Sequence, residues 1–262
     1  MKVALITGAA RGIGAATAMQ LAGQGWAVLA VDLAADDPAL PYPMGSAAEL
    51  STVVTEIRQN GGTAEEFAAD VRDRAQLAEA VGEAERRWGG LDAVIGAAGV
   101  IAGGVPLWEM PPEQEDAVLD VNLRGVVNLA RMAIPALLRR PEPRSGRFLA
   151  VASAAATRGL PQLAAYCAAK SGVAGLIRAL AVELGDSGVT ANAVSPGSTD
   201  TPILAESARL YDLPDAQAFA AQQPVRRLLD PAEVAAVLAF LAGPDSSAMT
   251  GAIVPVDGGL AL

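Results

Sequence analysis

Tyr166 and Lys170 stand four residues apart, Tyr166 follows Ser153 by thirteen residues, and the 262-residue chain around them holds no histidine and only two lysines. On a helix, residues four apart share a face, which sets the Lys170 ammonium beside the Tyr166 hydroxyl. A phenol with a pKa of about 10 is a poor base at neutral pH, but a nearby positive charge favours its ionised form. With histidine absent, the usual general base is missing. The arrangement therefore points to proton chemistry run by a phenol. Taken alone, the same spacing also fits a buried tyrosine and a surface lysine, so the rest of the chain must decide.

Composition removes several alternatives. A chain of this length can form a single α/β unit, and its 52% apolar content can fill a sizeable core. Aromatic residues are only 4%, so Ala, Leu and Val must do the filling. A net charge of -10 opposes a polyanionic partner and thus nucleic-acid binding. The single cysteine, Cys167, can form neither an internal disulfide nor a multi-thiolate metal site, and without histidine the common zinc sites are missing too. No metal is expected, and neither a zinc alcohol dehydrogenase nor a Ser-His-Asp hydrolase fits. Cys167 reads as a small packing residue. The apolar run at Met1–Ile6 is too short for a signal peptide or a membrane span, and later runs are broken by Gly, Pro or charge. The expectation is a soluble cytoplasmic protein with no membrane partner.

The phenol must be positioned by a framework, and the apolar pattern supplies one. Short β-type runs at Val3–Thr7, Ala27–Asp32, Glu66–Asp70, Leu91–Ala97, Arg147–Ser153, Thr190–Ser195 and Ile253–Asp257 alternate with helical patterns. Helices are predicted near Gly12–Gln24, Ala47–Asn60, Asp73–Trp88, Pro112–Arg140, Leu163–Gly185 and Pro231–Leu241. The alternation predicts one α/β domain over residues 1–262, a doubly wound parallel sheet with helices on both faces. Two segments break it: Leu33–Ser46, which carries Asp36, Asp37 and three prolines around Tyr42, and Ser198–Pro224. The first is read as a loop insertion and the second as a substrate loop.

Between the first strand and first helix lies Thr7-Gly-Ala-Ala-Arg-Gly-Ile-Gly14. Glycines there allow a tight turn and the close approach of a pyrophosphate to a helix N-terminus. The spacing, Gly-x-x-x-Gly-x-Gly, departs from the generic Gly-x-Gly-x-x-Gly pattern, and an ordinary strand-to-helix turn stays open on this feature alone. Asp32 ends the second strand where a carboxylate can bind adenosine ribose hydroxyls and repel a 2'-phosphate, which predicts NAD over NADP. Arg11 argues the other way, because an arginine in the turn could hold that phosphate.

Together these residues resemble the short-chain dehydrogenase/reductase family along essentially the whole chain. The motifs stand in order: the Thr7–Gly14 turn, Asp70-Val71, Gly96-Ala97-Ala98-Gly99, Asn122, Ser153, Tyr166-x-x-x-Lys170, and Pro196-Gly197 with Thr199 and Thr201. The family usually has Asn-Asn-Ala-Gly where this chain has Gly96-Ala97-Ala98-Gly99. The resemblance implies a Rossmann-type fold and a catalytic tetrad of Asn122, Ser153, Tyr166 and Lys170. Ser153 would hydrogen-bond the substrate oxygen, Tyr166 would exchange a proton with it, Lys170 would lower the Tyr166 pKa and hold the nicotinamide ribose, and Asn122 would hold a relay water. The implied cofactor contacts are Gly8, Arg11, Gly12, Ile13, Gly14, Asp32, Leu33, Asp70, Val71, Ala97, Ala98, Gly99, Tyr166, Lys170, Pro196, Gly197, Ser198, Thr199 and Thr201.

A finer resemblance, carried by Leu33–Ser46, Ala150–Gly159 and Ser195–Thr201, is to the branch associated with the redox cofactor mycofactocin, in which NAD stays bound and is reoxidised in place. Leu33–Ser46 would then cover the adenosine end. A solvated acidic loop is the other reading of that segment. The expected substrate wall is Val100, Ile101, Trp108, Leu160, Leu163 and the apolar residues of 198–224, which favours a small apolar secondary alcohol or ketone over a phosphorylated or carboxylated one. Relatives pair long helices across subunits, so a homotetramer is expected. An NADPH-dependent oxoacyl-carrier-protein reductase and a dinucleotide-sensing binding module remain as rivals.

Overall fold

A computed structural model describes residues 1–262. Seven strands form one fully parallel sheet: β1 (Val3–Thr7), β2 (Ala27–Asp32), β3 (Thr63–Ala68), β4 (Ala93–Gly96), β5 (Arg147–Val151), β6 (Thr190–Pro196) and β7 (Ile253–Val256). Their order across the sheet is β3-β2-β1-β4-β5-β6-β7. Strands β1, β4 and β5 are buried at every residue, as their near-continuous apolar runs require of strands covered on both faces. One face packs on α1 (Gly12–Gly23), α2 (Ala47–Gln59) and the C-terminal helix Pro231–Ala242. The opposite face carries the helices at Arg74–Trp88, Gly125–Leu138 and Ala164–Glu183. This is the single-domain, doubly wound α/β fold that the alternation predicts.

In chain order the helices after α2 are α3 (Arg74–Trp88), α4 (Pro112–Leu119), α5 (Gly125–Leu138), α6 (Ala164–Glu183), α7 (Pro202–Leu210) and α8 (Pro231–Ala242). The stretches Pro112–Leu138 and Ala164–Glu183 are long and apolar enough to cross a membrane by length and composition alone. Here they pack on the sheet, and their apolar residues contribute to its larger core cluster.

Most element ends fall within two residues of expectation, and three features depart further. Strand β3 begins at Thr63 rather than Glu66, because it is an edge strand whose outward residues are polar: Glu65 pairs with Arg58 at 2.7 Å. The predicted continuous helix Pro112–Arg140 is interrupted by a π turn at Asp120–Arg124. Within the supposed substrate loop lies α7, started by Thr201, whose Oγ1 accepts from Leu204 N at 3.3 Å, and by Pro202 at its first position.

The strand ends line up. Thr7 registers with both Val31 and Gly96, Gly96 with Ala150, and Val151 with Val194. Between β1 and β4 the chain order reverses, which opens a crevice beyond the carboxyl ends of the strands.

Candidate active site

The crevice is a cavity of 730 Å³, and every residue expected in the tetrad or as a cofactor contact lines it. At one end the glycine turn leads into α1. Gly8 is irreplaceable on packing grounds: a Cβ there would lie 2.6 Å from the backbone of Ala98. Gly14 is equally constrained, since its Cβ would stand 2.0 Å from the Gly8 carbonyl oxygen. The turn is thus pressed against the loop after β4, where Thr7 Oγ1 accepts from Ala98 N at 3.4 Å. The contact uses only the backbone of Ala97 and Ala98, so the departure from the usual asparagines at Gly96 and Ala97 leaves the approach intact.

Helix α1 has neither a side-chain cap nor an acidic residue in its first turn, and Gly12, Ile13 and Gly14 face the cavity. Unpaired N–H groups at a helix N-terminus attract an anion such as a pyrophosphate. Beyond β2, Asp32 accepts from Ala10 N at 3.0 Å and from Ala34 N at 3.2 Å. Leu33 follows it on the cavity wall.

Segment 33–46 has an exposed outer side but is tied to the body of the protein at several points. Arg11 donates to the carbonyl oxygens of Pro43 and Met44 at 2.9 and 3.2 Å. Arg72 bridges the carboxylates of Asp37 and Asp70, each at 2.7 Å, and Asp37 is 5% exposed. The Tyr42 hydroxyl accepts from Ile101 N at 2.9 Å, and burial pushes its pKa up to about 12. Met44, Gly45 and Asp37 therefore join Asp70 and Val71 in lining the cavity with Asp32. The sequence singled out the segment but not these contacts; the alternation of prolines with Tyr42 and Met44 was the available signal.

At the other end, Ser153 Oγ accepts from Ala155 N at 3.1 Å, which fixes the oxygen and leaves its hydroxyl hydrogen free to donate. Ser153 lies close enough to Tyr166 to favour its ionised form, yet burial dominates and holds the phenol up at about 12. Lys170 is 4% exposed, donates to Val151 O at 2.9 Å, and places Nζ 5.7 Å from the centre of the Tyr166 ring. Burial brings its ammonium down to about 8. Desolvation of the phenol thus outweighs the lowering by Ser153.

Asn122 is fully buried in the π turn. Its amide donates to Val100 O at 2.9 Å and Val118 O at 2.8 Å, while Oδ1 accepts from Val100 N at 3.2 Å. Both donors are spent on the protein, so only a remaining Oδ1 lone pair is open to a water. The side chain thus fixes the loop after β4 against the helix that carries it.

Val100, Ile101, Leu160, Leu163, Leu204, Tyr211, Leu213 and Phe219 form the apolar wall. Trp108 does not join them: the short turn Leu107–Glu109 turns it outward, and it is 84% exposed. Pro196, Gly197, Ser198, Thr199 and Thr201 line the side toward α7, with Ser198 N donating to Gln223 Oε1 at 2.8 Å. Arg158 and Leu260 complete the mouth and were not expected there.

Comparison with known proteins agrees with this geometry. The model of a family described as "Enoyl-(Acyl carrier protein) reductase" matches residues 8–261. The 3-oxoacyl-[acyl-carrier-protein] reductase FabG of Thermotoga maritima is 34% identical over 264 residues, covering 100% of this chain and 98% of that protein. The cis-4-hydroxycyclohexanecarboxylate dehydrogenase of Sinomonas cyclohexanicum is 38% identical over 262 residues, covering 98% and 96%. A carveol dehydrogenase from Mycobacterium avium, solved in complex with NAD, superposes with a TM-score of 0.93 at 31% identity, covering 99% of this chain and 97% of that one. With the site and its sheet placed as described, these matches make the chain an oxidoreductase of the short-chain dehydrogenase/reductase family.

Proposed function

We propose that this protein is an NAD-dependent dehydrogenase that interconverts a secondary alcohol with an apolar body and its ketone. The observation that carries the reading is the single cavity joining an uncapped helix N-terminus, the Asp32 carboxylate and the Ser153–Tyr166–Lys170 group beside an apolar wall. The cavity fits a nicotinamide dinucleotide: Gly12, Ile13 and Gly14 would hold its pyrophosphate, Asp32 its adenosine ribose, and Lys170 its nicotinamide ribose. When bound, that group supplies the hydride acceptor or donor.

The chain's own residues handle the oxygen. Ser153, its Oγ fixed by Ala155 N, donates a hydrogen bond to the substrate oxygen. Tyr166 exchanges a proton with that same oxygen. A half-buried phenol raised to about 12 is fully protonated at neutral pH and so ready to give its proton to a ketone oxygen. In the alcohol-oxidising direction it must first lose that proton, which positive charge nearby favours. Lys170, held by Val151 O, is the resident cation. Two hydroxyls and an apolar wall thereby orient the carbinol and exclude water.

NAD rather than NADP is supported by Asp32 and by the commitment of Arg11 to Pro43 and Met44. An NADPH-dependent reductase, the rival that the FabG relative's name brings to mind, would be helped by a free cation for the 2'-phosphate, and Arg11 is tied. The same ties, with Tyr42 on Ile101, support a cofactor held under segment 33–46, as reoxidation in place by mycofactocin would require. A homotetramer is supported by apolar residues left on the helix surfaces, with Val182 83% and Phe240 46% exposed. We place the protein in the cytoplasm, with its boundaries as one domain over 1–262.

Denaturing freshly purified protein and identifying the released nucleotide by mass tests this. NAD in near-stoichiometric amount, with alcohol oxidation that needs only an added electron acceptor, is the expected result. Release of NADP, or of no nucleotide together with turnover only on acyl-carrier ketones, would overturn it.

A further inference from the structure

Around the apolar half of the cavity several polar side chains are already committed, and of the charged groups that line the cavity all but one are. Ser207 donates to Ile203 O at 2.8 Å and Tyr211 to Pro161 O at 2.7 Å. The other charged groups on the cavity wall are likewise engaged: Arg72 with Asp37 and Asp70, Arg11 with backbone carbonyls, Asp32 with backbone N–H groups, and Lys170 with Val151. Arg158 is different. It lines the mouth beside Leu160 and Leu260, it forms no ion pair, and its guanidinium donates only through Nη1, to the carbonyl oxygen of Leu260. The remaining donors of its planar fork are without protein partners.

We propose that Arg158 binds a carboxylate at the end of the substrate remote from the carbinol, so that the substrate is a hydroxy acid, or the matching oxo acid, with an apolar body. This rests on the alcohol dehydrogenase reading above and names its substrate class. A guanidinium is always charged, and its two parallel N–H groups match the two oxygens of a carboxylate. The cavity that both Ser153 and Arg158 line also carries Leu160, Leu163, Leu213 and Phe219, which suits a ring or short aliphatic body. One cation suits a single negative charge. The tie to Leu260 fixes the guanidinium at the mouth while leaving its other edge available. The sequence favoured an uncharged substrate because the run Thr157-Arg158-Gly159 does not reveal which way the side chain turns.

Binding and turnover together test the assignment. Protein saturated with NAD is titrated calorimetrically with cyclohexanecarboxylate and with its methyl ester, using wild type, Arg158→Ala and Arg158→Lys. Turnover is then followed with 4-hydroxycyclohexanecarboxylate and 4-methylcyclohexanol. Wild type is expected to bind the carboxylate about tenfold tighter than the ester, in line with a charge-assisted contact. Arg158→Ala should abolish that preference and leave ester binding and 4-methylcyclohexanol turnover within about twofold, while Arg158→Lys restores part of it. Added salt should shrink the preference.

Equal binding of the two probes by wild type would overturn the assignment. So would an Arg158→Ala variant that weakens both alike, which would make the residue only a tether for Leu260. Turnover of 4-methylcyclohexanol with no carboxylate preference would remove this assignment and keep the dehydrogenase. Selective carboxylate binding that Arg158→Ala abolishes, with neither alcohol turned over, would keep the anion site and remove the reaction.

Discussion

Arg11 donates to the backbone oxygen of Met44 at 3.2 Å, across a separation of 33 residues. A second donor of the same guanidinium reaches Pro43, so the glycine turn and segment 33–46 are fastened at one point. The contact converts a cation that could have read a 2'-phosphate into a clasp. Arg11→Ala is therefore expected to speed NAD release by about tenfold, as charge-assisted bonds to the segment are lost. Stopped-flow displacement of bound nucleotide measures it, and an unchanged release rate would mean that the clasp does not retain the cofactor.

Asp32 sits where the clasped segment returns, with the Cα of Gly45 so close that a Cβ there would lie 3.1 Å from the carboxylate. A dianionic phosphate placed against it would be repelled. Replacing Asp32 by Ala is expected to weaken NAD by about tenfold and to narrow the ratio of NADP to NAD dissociation constants. Equilibrium titration with both nucleotides checks this; a selectivity ratio identical to wild type would contradict the role given to Asp32.

Half-buried Tyr166 and buried Lys170 predict an unusual stability profile for the nucleotide-free protein. Lys170 falls from its ordinary 10.5 to about 8, so between those values the unfolded chain binds more protons and stability rises with pH. Tyr166 is raised from 10.0 to about 12, as are Tyr42 and Tyr211. Above pH 10 the unfolded chain ionises these phenols first, and stability falls. Urea unfolding at constant ionic strength should thus show a rise from about pH 8 to 10 followed by a decline. Lys170→Met should remove the rise, and parallel curves for that variant and wild type would contradict the burial argument.

Arg147 opens β5 with a guanidinium 2% exposed, whose Nε has no partner; Thr190, its register partner on β6, has an unpaired Oγ1. Burial without an acid depresses the Arg147 pKa. Uncompensated buried charge costs stability, and an apolar side chain of similar volume removes that cost. Arg147→Met is expected to raise the unfolding free energy by about 1–3 kcal/mol. Chemical denaturation would show it, and a loss of similar size would mean that the guanidinium meets an anion in the assembled protein.

Much of this architecture was legible because both faces of the sheet are covered. Runs such as Val3–Thr7 and Ala27–Asp32 had to be continuous and apolar, and their observed bounds match. The edge strand β3 carries Glu65 and Glu66, so its start lacked that signature. The π turn at Asp120–Arg124 was invisible, because one extra residue in a helical turn leaves the composition unchanged. For the site, the expected residues were spaced by motifs tied to strand ends, and the structure gathers them in one cavity. Tyr42 and Arg158 escaped because their importance lies in what they touch across long separations, Ile101 and Leu260. Trp108 was misplaced for the opposite reason, as its size suggested a wall and its turn exposes it.

The central claim is that the Tyr166 hydroxyl exchanges the proton with the substrate oxygen, and single-turnover formation of NADH in protein saturated with NAD, on mixing with a cyclic secondary alcohol, reads it directly. Tyr166→Phe removes one oxygen and should lower that rate by at least about a hundredfold while leaving the NAD dissociation constant within about threefold. A Tyr166→Phe variant that forms NADH at the wild-type rate would contradict the account.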